Sequence, residues 1–234
     1  SGDVASLFFL FDKLKDRLIK STDDITAKMQ ERGGGILNIS LIDNRVKIEN
    51  YFQLSVEFDT KDSMGANFIN SCLEKIAINF KNILDAESQN DESYGEVNII
   101  MSILSNYTPE CIVESIAECT VDNLNSLKEN SNENLSEKIK LAFDIANIDI
   151  NRAVTHNKGI MNGVDSVLIA TGNDFRAVEA GVHSYASKNG FYKSLSKCNI
   201  KENRIQFVLR IPLSIGTVGG VTNLHPLVNL SHEL

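Results

Sequence analysis

The sequence predicts an α+β fold, and three observations carry that expectation. Leu7, Leu10, Phe11, Leu14 and Leu18 recur at spacings of three and four among Lys and Asp, the period of an amphipathic helix. Phe52, Leu54, Val56 and Phe58 alternate with Gln53, Ser55 and Glu57, the period of a strand with one buried and one polar face. The first elements then run helix, strand, strand, helix, strand. That is the split βαβ order of a ferredoxin-like domain without its first strand.

Residues 4–31 read as one helix, closed by Arg32-Gly33-Gly34-Gly35, since glycine just past a helix end accepts the left-handed backbone needed there. Ile36 to Ile42 follows as a strand, and the polar Asp43-Asn44 turn leads to the alternating run. Asp62-Ser63 opens a helix from about Met64 to Leu84, with Phe68, Cys72, Ile76 and Phe80 at four-residue spacing. Ala86 to Gly95 reads as a surface loop. Val97 to Leu104 is an apolar run short enough for a buried strand. A sheet short of a strand of its own reads as a piece of a longer protein.

The pattern changes from Ser105. Cys111 to Cys119 alternates as a strand, and Asn125 to Asn134 reads as an exposed loop. A helix is expected over Leu135 to Asn147, with a second short one towards Val154. Gly163 to Ala170 is strand-like, Asp174 to Asn189 is helical and closed by Gly190, and Arg204 to Ile211 alternates as a strand. Gly216 to Gly220 is a flexible turn. The chain ends on Pro226-Leu227-Val228-Asn229-Leu230 without a capping signal, which also suggests a cut.

Composition removes several classes. A formal charge of −8 over 234 residues lacks the basic surface that nucleic-acid phosphates require. Cys72, Cys111, Cys119 and Cys198 form no CxxC pair, so neither a metal site nor a redox motif is expected; buried free thiols in a reducing cytoplasm are. No apolar run approaches the ~20 residues of a membrane span. The start, Ser1-Gly2-Asp3, lacks the features of a signal peptide. A cytoplasmic protein is the expectation.

Two segments carry candidate chemistry. Asp62-Ser63-Met64-Gly65-Ala66-Asn67 lies at a strand-to-helix junction, where Asp62 can cap the helix and Gly65 can let a phosphate approach free N–H groups. An ordinary capped helix explains the same residues. Thr155-His156-Asn157-Lys158-Gly159 reads as a polar knot between apolar segments, with Asn173-Asp174 downstream. Lys158 and Asp174 can form an acid/base unit, or Asp174 can be a helix cap; the residues alone leave both open. The GxGxxG fingerprint is absent.

Four strings in order resemble the 3-hydroxy-3-methylglutaryl-CoA reductases, in their soluble bacterial form. They are DSMGAN from Asp62, THNKGIMNG from Thr155, ATGNDFRAVEA from Ala170 with Phe175 where the family has tryptophan, and GTVGG from Gly216 followed by His225-Pro226. The resemblance implies a ferredoxin-like, nicotinamide-binding small domain over 1–105, lacking its first strand. It also implies part of a mixed α/β, CoA-thioester-binding large domain over 106–234. It implies reduction of the thioester to mevalonate by two hydride transfers, in a homodimer or higher homo-oligomer.

By the same resemblance Lys158 is the catalytic lysine and Asp174 the aspartate that holds it. Arg152 and Asn162 fall on substrate-contacting positions. Asp62, Met64, Gly65 and Asn67 fall on the cofactor helix, with Gly65 serving the ligand and not the fold, and Asn106 lies between the two sites. The family's catalytic glutamate and histidine match no residue here, so the isolated chain is expected to be crippled. NADH-using members carry an acid near the position of Thr26. A neutral residue there, with Lys28 and Arg32 nearby, favours NADPH over NADH. A non-catalytic ferredoxin-like module that binds a nucleotide or a partner is the competing reading.

Overall fold

The structure, a computed structural model, describes residues 3–89, 96–127, 134–220 and 225–233. The chain divides into two compact units, Ser1–Leu104 and Ser105–Leu234. Both mix helices with antiparallel sheet, as the α+β expectation requires.

The first unit contains α1 (Val4–Lys20), α2 (Asp23–Glu31), β1 (Gly35–Asp43), β2 (Phe52–Asp59) and α3 (Ala66–Ser88). Asp3 caps α1 by accepting the N–H groups of Ala5 and Ser6. β1 and β2 pair antiparallel, with Gly35 opposite Asp59 and Asp43 opposite Phe52. One face of this hairpin meets α1 and α3 around Phe11, Leu18, Ile39, Ile76, Phe80 and Leu84. Phe11 and Phe80 touch edge to face with centroids 5.8 Å apart. Burying each of these side chains contributes roughly 1.5–3 kcal/mol.

Two expectations for this unit fail. The single helix over 4–31 is broken at Ser21-Thr22, whose hydroxyls donate back to Leu18 O (2.6 Å) and Ile19 O (2.7 Å). Such back-bonding competes with the helix ladder, and Asp23-Asp24 then supply the acidic start of a new helix. Val97 to Leu104 is not a buried strand. Among the described residues it pairs with no strand, and Ile100 and Met101 are 79% and 72% exposed. Apolar composition buries a strand only where a ladder partner and a covering layer exist. Its end is tied by the Leu104 N–H, which donates to Asn70 Oδ1 of α3 at 2.9 Å. The expected loop over 86–95 falls largely outside the described residues.

The second unit contains β3 (Ile112–Thr120), α4 (Val121–Ser126), α5 (Leu135–Ile148), α6 (Ile150–Ala170), α7 (Phe175–Ala186), β4 (Ser196–Lys201), β5 (Arg204–Pro212) and α8 (Pro226–Glu233). Its sheet has the order β3-β5-β4, antiparallel throughout. Met161 and Leu168 of α6, Val178 and Val182 of α7, Leu195 and Ile211 form the core. The expected loop over 125–134 lies mostly outside the described residues.

The largest departure is α6. The expected short helix, polar knot and strand-like run are one continuous helix. Its buried residues are Ala153, Asn157, Met161 and Leu168, spaced by four, four and seven, which is one helical face. The run 163–170 misleads because Val167 and Ile169 are apolar yet exposed. β4 escapes the reading because its buried positions are Ser196 and Cys198, too polar to mark a strand by alternation.

Candidate functional site

In the first unit, two turns lie side by side because β1 begins where β2 ends. The glycine turn that closes α2 meets the turn from Asp59 to Gly65. A Cβ on Gly34 would lie 2.4 Å from the Asp59 carbonyl oxygen, so no side chain fits there. Gly65 has φ +73°, and a Cβ on it would lie 2.6 Å from Thr60 Cγ2. Gly65 is therefore required by the turn itself, which corrects the expectation that it serves a ligand and not the fold. Asp62 does not cap α3. It is exposed, while Ser63 folds its N–H (3.1 Å) and hydroxyl (2.9 Å) onto Thr60 O.

The helix cap is Gly65, which offers no side-chain bond. The first turn of α3, at Ala66, Asn67 and Phe68, thus carries N–H groups and the partial positive charge of a helix start. Asn67 is exposed and Met64 half-buried beside them. Lys61 adds a cation at the same turn, with Nζ 2.8 Å from Asp59. Sequence reasoning passed over Lys61. The available signal was a basic residue directly before the DSMGAN string.

Thr26 is not where a ligand would meet it from solvent. It is buried, accepts a hydrogen bond from Gln30 Nε2 (3.0 Å), and lines a cavity of about 130 Å³ with Thr22, Gly34 and Ile36. That volume suits a few water molecules. Of the acids beside it, Asp24 is paired with Lys75 at 2.5 Å, and that hydrogen bond holds its carboxyl below the usual range.

In the second unit, α6 turns one polar face outward. At about 100° per residue, Arg152, Lys158 and Asn162 fall within roughly 120° of arc. Lys158 and Asn162 are exposed and Arg152 is half-buried. Gly159 and Gly163 lie on the same face, and among the described residues nothing comes within 4 Å of a Cβ built on either. Asp174 caps α7, accepting the N–H groups of Arg176 (3.1 Å) and Ala177 (3.2 Å). It does not meet Lys158 within the chain, because α6 runs about 18 Å from Lys158 to Ala170 at ~1.5 Å per residue. Asn173 ties the same turn to the GTVGG segment, accepting Gly216 N–H at 2.8 Å. Asn106 is exposed, and its main chain lies against α7, where a Cβ on Gly181 would come 2.6 Å from its carbonyl oxygen.

His156 bonds to Ser196 Oγ at 2.7 Å and sits edge-on to Phe143. Burial, with the charge of Arg152, pushes its proton affinity below the usual histidine range. The unfolded chain thus binds a proton near pH 6.5 that the folded one refuses. Stability of this unit should fall as pH drops below about 6.5, and continue to fall until the lower folded pKa is reached. Urea unfolding at a series of pH values checks this, with His156→Gln expected to flatten the slope. Among the described residues, no group of three or more His, Cys, Asp or Glu side chains could hold a metal ion, and no helix is long and apolar enough to cross a membrane.

These features define a two-unit α+β protein with an uncapped helix start in one unit and a cationic, amide-bearing helix face in the other. The family model for hydroxymethylglutaryl-coenzyme A reductase matches residues 4–234. A probable 3-hydroxy-3-methylglutaryl-coenzyme A reductase of Borreliella burgdorferi is 35% identical over 96% of this chain and 49% of its own length. The reductase of Archaeoglobus fulgidus is 34% identical over 94% of this chain and 47% of its own. The class II reductase of Streptococcus pneumoniae bound to NADPH in open conformations superposes with a TM-score of 0.78 at 36% identity, covering 95% of this chain and 57% of that one. The chain belongs to the hydroxymethylglutaryl-coenzyme A reductase family and spans about half the length of the relatives it matches.

Proposed function

We propose that this chain supplies the cofactor-binding unit, and part of the substrate-binding unit, of an enzyme that reduces 3-hydroxy-3-methylglutaryl-CoA to mevalonate. The observation that carries the reading is the family match across both units, with Lys158 on an open polar face of α6.

The residues of the first unit fit a nicotinamide dinucleotide. The first turn of α3 has N–H groups without a side-chain cap, and a diphosphate suits them. Asp62, Met64, Gly65 and Asn67 frame that turn, and Lys61 adds positive charge. With Asp24 neutralised by Lys75 and Lys28 exposed, the surroundings favour the 2′-phosphate of NADPH, the cofactor bound by the Streptococcus pneumoniae relative. Bound there, the reduced cofactor supplies hydride, twice per thioester.

On the second unit, Arg152 and Asn162 hold the substrate beside Lys158. Hydride arrival turns the substrate carbonyl into an oxyanion, and the Lys158 ammonium stabilises that charge more than it stabilises the ground state. Asp174 orients the ammonium. Since about 18 Å of helix separates the two in one chain, the Asp174 that serves Lys158 comes from a second copy in a homodimer. Asn106, exposed on the second unit, is a further ligand-contacting position by the same family likeness.

Complementation tests this reading. Full-length protein with Lys158→Ala and full-length protein with Asp174→Ala are each expected to be nearly inactive. Unfolded together and refolded, they should recover about a quarter of wild-type turnover, because half the dimers are mixed and each mixed two-fold dimer holds one intact site. No recovery in verified mixed dimers would contradict the pairing between copies.

A further inference from the structure

Lys158 stands next to a residue whose position the structure explains in unusual detail. Asn157 is fully buried, in the same row of α6 as the small or apolar Ala153, Met161 and Leu168. Both ends of its amide are bonded to one short segment. Nδ2 donates to Lys193 O at 2.8 Å, and Oδ1 accepts the Leu195 N–H at 3.0 Å. That segment is itself fixed at both sides: Lys193 N–H donates to Ala186 O of α7 at 3.0 Å, and Leu195 O accepts Arg210 N–H of β5 at 3.2 Å. His156, one residue earlier, adds its bond to Ser196 Oγ at the start of β4.

Beyond this clamp come Gly159 and Gly163; glycine is among the poorest helix formers, and among the described residues nothing lies within 4 Å of a Cβ built on either, so no side-chain packing there fixes the helix's rotation. An apolar row such as Ala153, Met161 and Leu168 resists leaving the core but allows small rotations and slips. Two directed hydrogen bonds from a buried amide do not, because either displacement leaves a buried carbonyl or N–H unpaired.

We propose that Asn157 is a positioning residue for the reductase reaction: its amide clamp on residues 193–195 sets the rotation of α6 that aims Lys158 at the substrate. The inference rests on the reading of Lys158 as the oxyanion-stabilising lysine. It assigns Asn157 no contact with substrate or cofactor.

The test uses full-length protein, with urea unfolding of each variant measured beside turnover so that loss of the second unit's fold is separated from loss of rate. Asn157→Asp has the same shape but, ionised, cannot donate to Lys193 O; Asn157→Leu removes both bonds. Each is expected to lower kcat at least tenfold while KM for the dinucleotide changes less than twofold. His156→Ala, at a half-buried position, should give a smaller loss of the same kind and keeps the test open if the buried variants fail to fold. In a Lys158→Ala background, none of the three should lower the residual rate further, because a misaimed lysine and an absent one are equivalent. Unchanged kcat in the folded variants, or losses that multiply with that of Lys158→Ala, would overturn the proposal. If Lys158→Ala itself keeps full turnover, it is the underlying reading of Lys158 that fails.

Discussion

Lys158→Ala in the full-length protein is expected to lower turnover of the thioester by roughly 100- to 1,000-fold or more, the scale seen when one donor to a developing oxyanion is removed. Lys158 is exposed on α6 and holds no part of the core, so unfolding should not accompany the loss. Asp174 is harder, because it also caps α7. Replacing it by alanine should cost about 1 kcal/mol of stability through the lost cap. Asp174→Asn separates the roles: asparagine caps about as well as aspartate, so stability should hold while the carboxylate proposed to orient Lys158 loses its charge. Steady-state kinetics alongside urea unfolding decide the matter. A fully active, stable Asp174→Asn variant would leave Asp174 as a cap and nothing more.

Gly65→Val should destabilise the first unit by roughly 3 kcal/mol or more. A β-branched residue in the left-handed region costs ~1–3 kcal/mol, and forcing atoms against Thr60 adds ~1–3 kcal/mol. The two parts are separable. Thr60→Ser removes the methyl group that lies 2.6 Å from the new Cβ, so it should recover the packing part and leave the backbone strain. Denaturant unfolding of wild type, single and double variants provides the measurement. A Gly65→Val chain as stable as wild type would show that the turn relaxes freely.

How far the sequence revealed this depended on where periodicity and burial agreed. β2 was readable because Gln53 and Glu57 of its alternation are also its exposed positions, and α3 because Cys72, Ile76, Phe80 and Leu84 are all interior. α6 was misread because its inward row includes Asn157, while exposed Val167 and Ile169 filled the outward face with apolar residues. Val97 to Leu104 failed for a related reason, since nothing in a run of isoleucines states whether a partner strand exists. The site strings were legible as order and spacing. The separation of Lys158 from Asp174 was not, because sixteen residues read as a loop and a strand can fold back, whereas a continuous helix cannot. The clamp at Asn157 was invisible for the opposite reason. Its partners are main-chain atoms at 193 and 195, which no side-chain pattern announces.

The first unit is expected to bind a nicotinamide dinucleotide at the uncapped start of α3. Calorimetric titration of this chain with NADPH and with NADH tests it most directly. One site per chain is expected, tighter for NADPH than for NADH. Affinity should weaken as salt rises, because Lys61 and the helix terminus act through charge. Absence of binding by either dinucleotide to the folded chain, or binding that Lys61→Glu leaves unchanged, would contradict it.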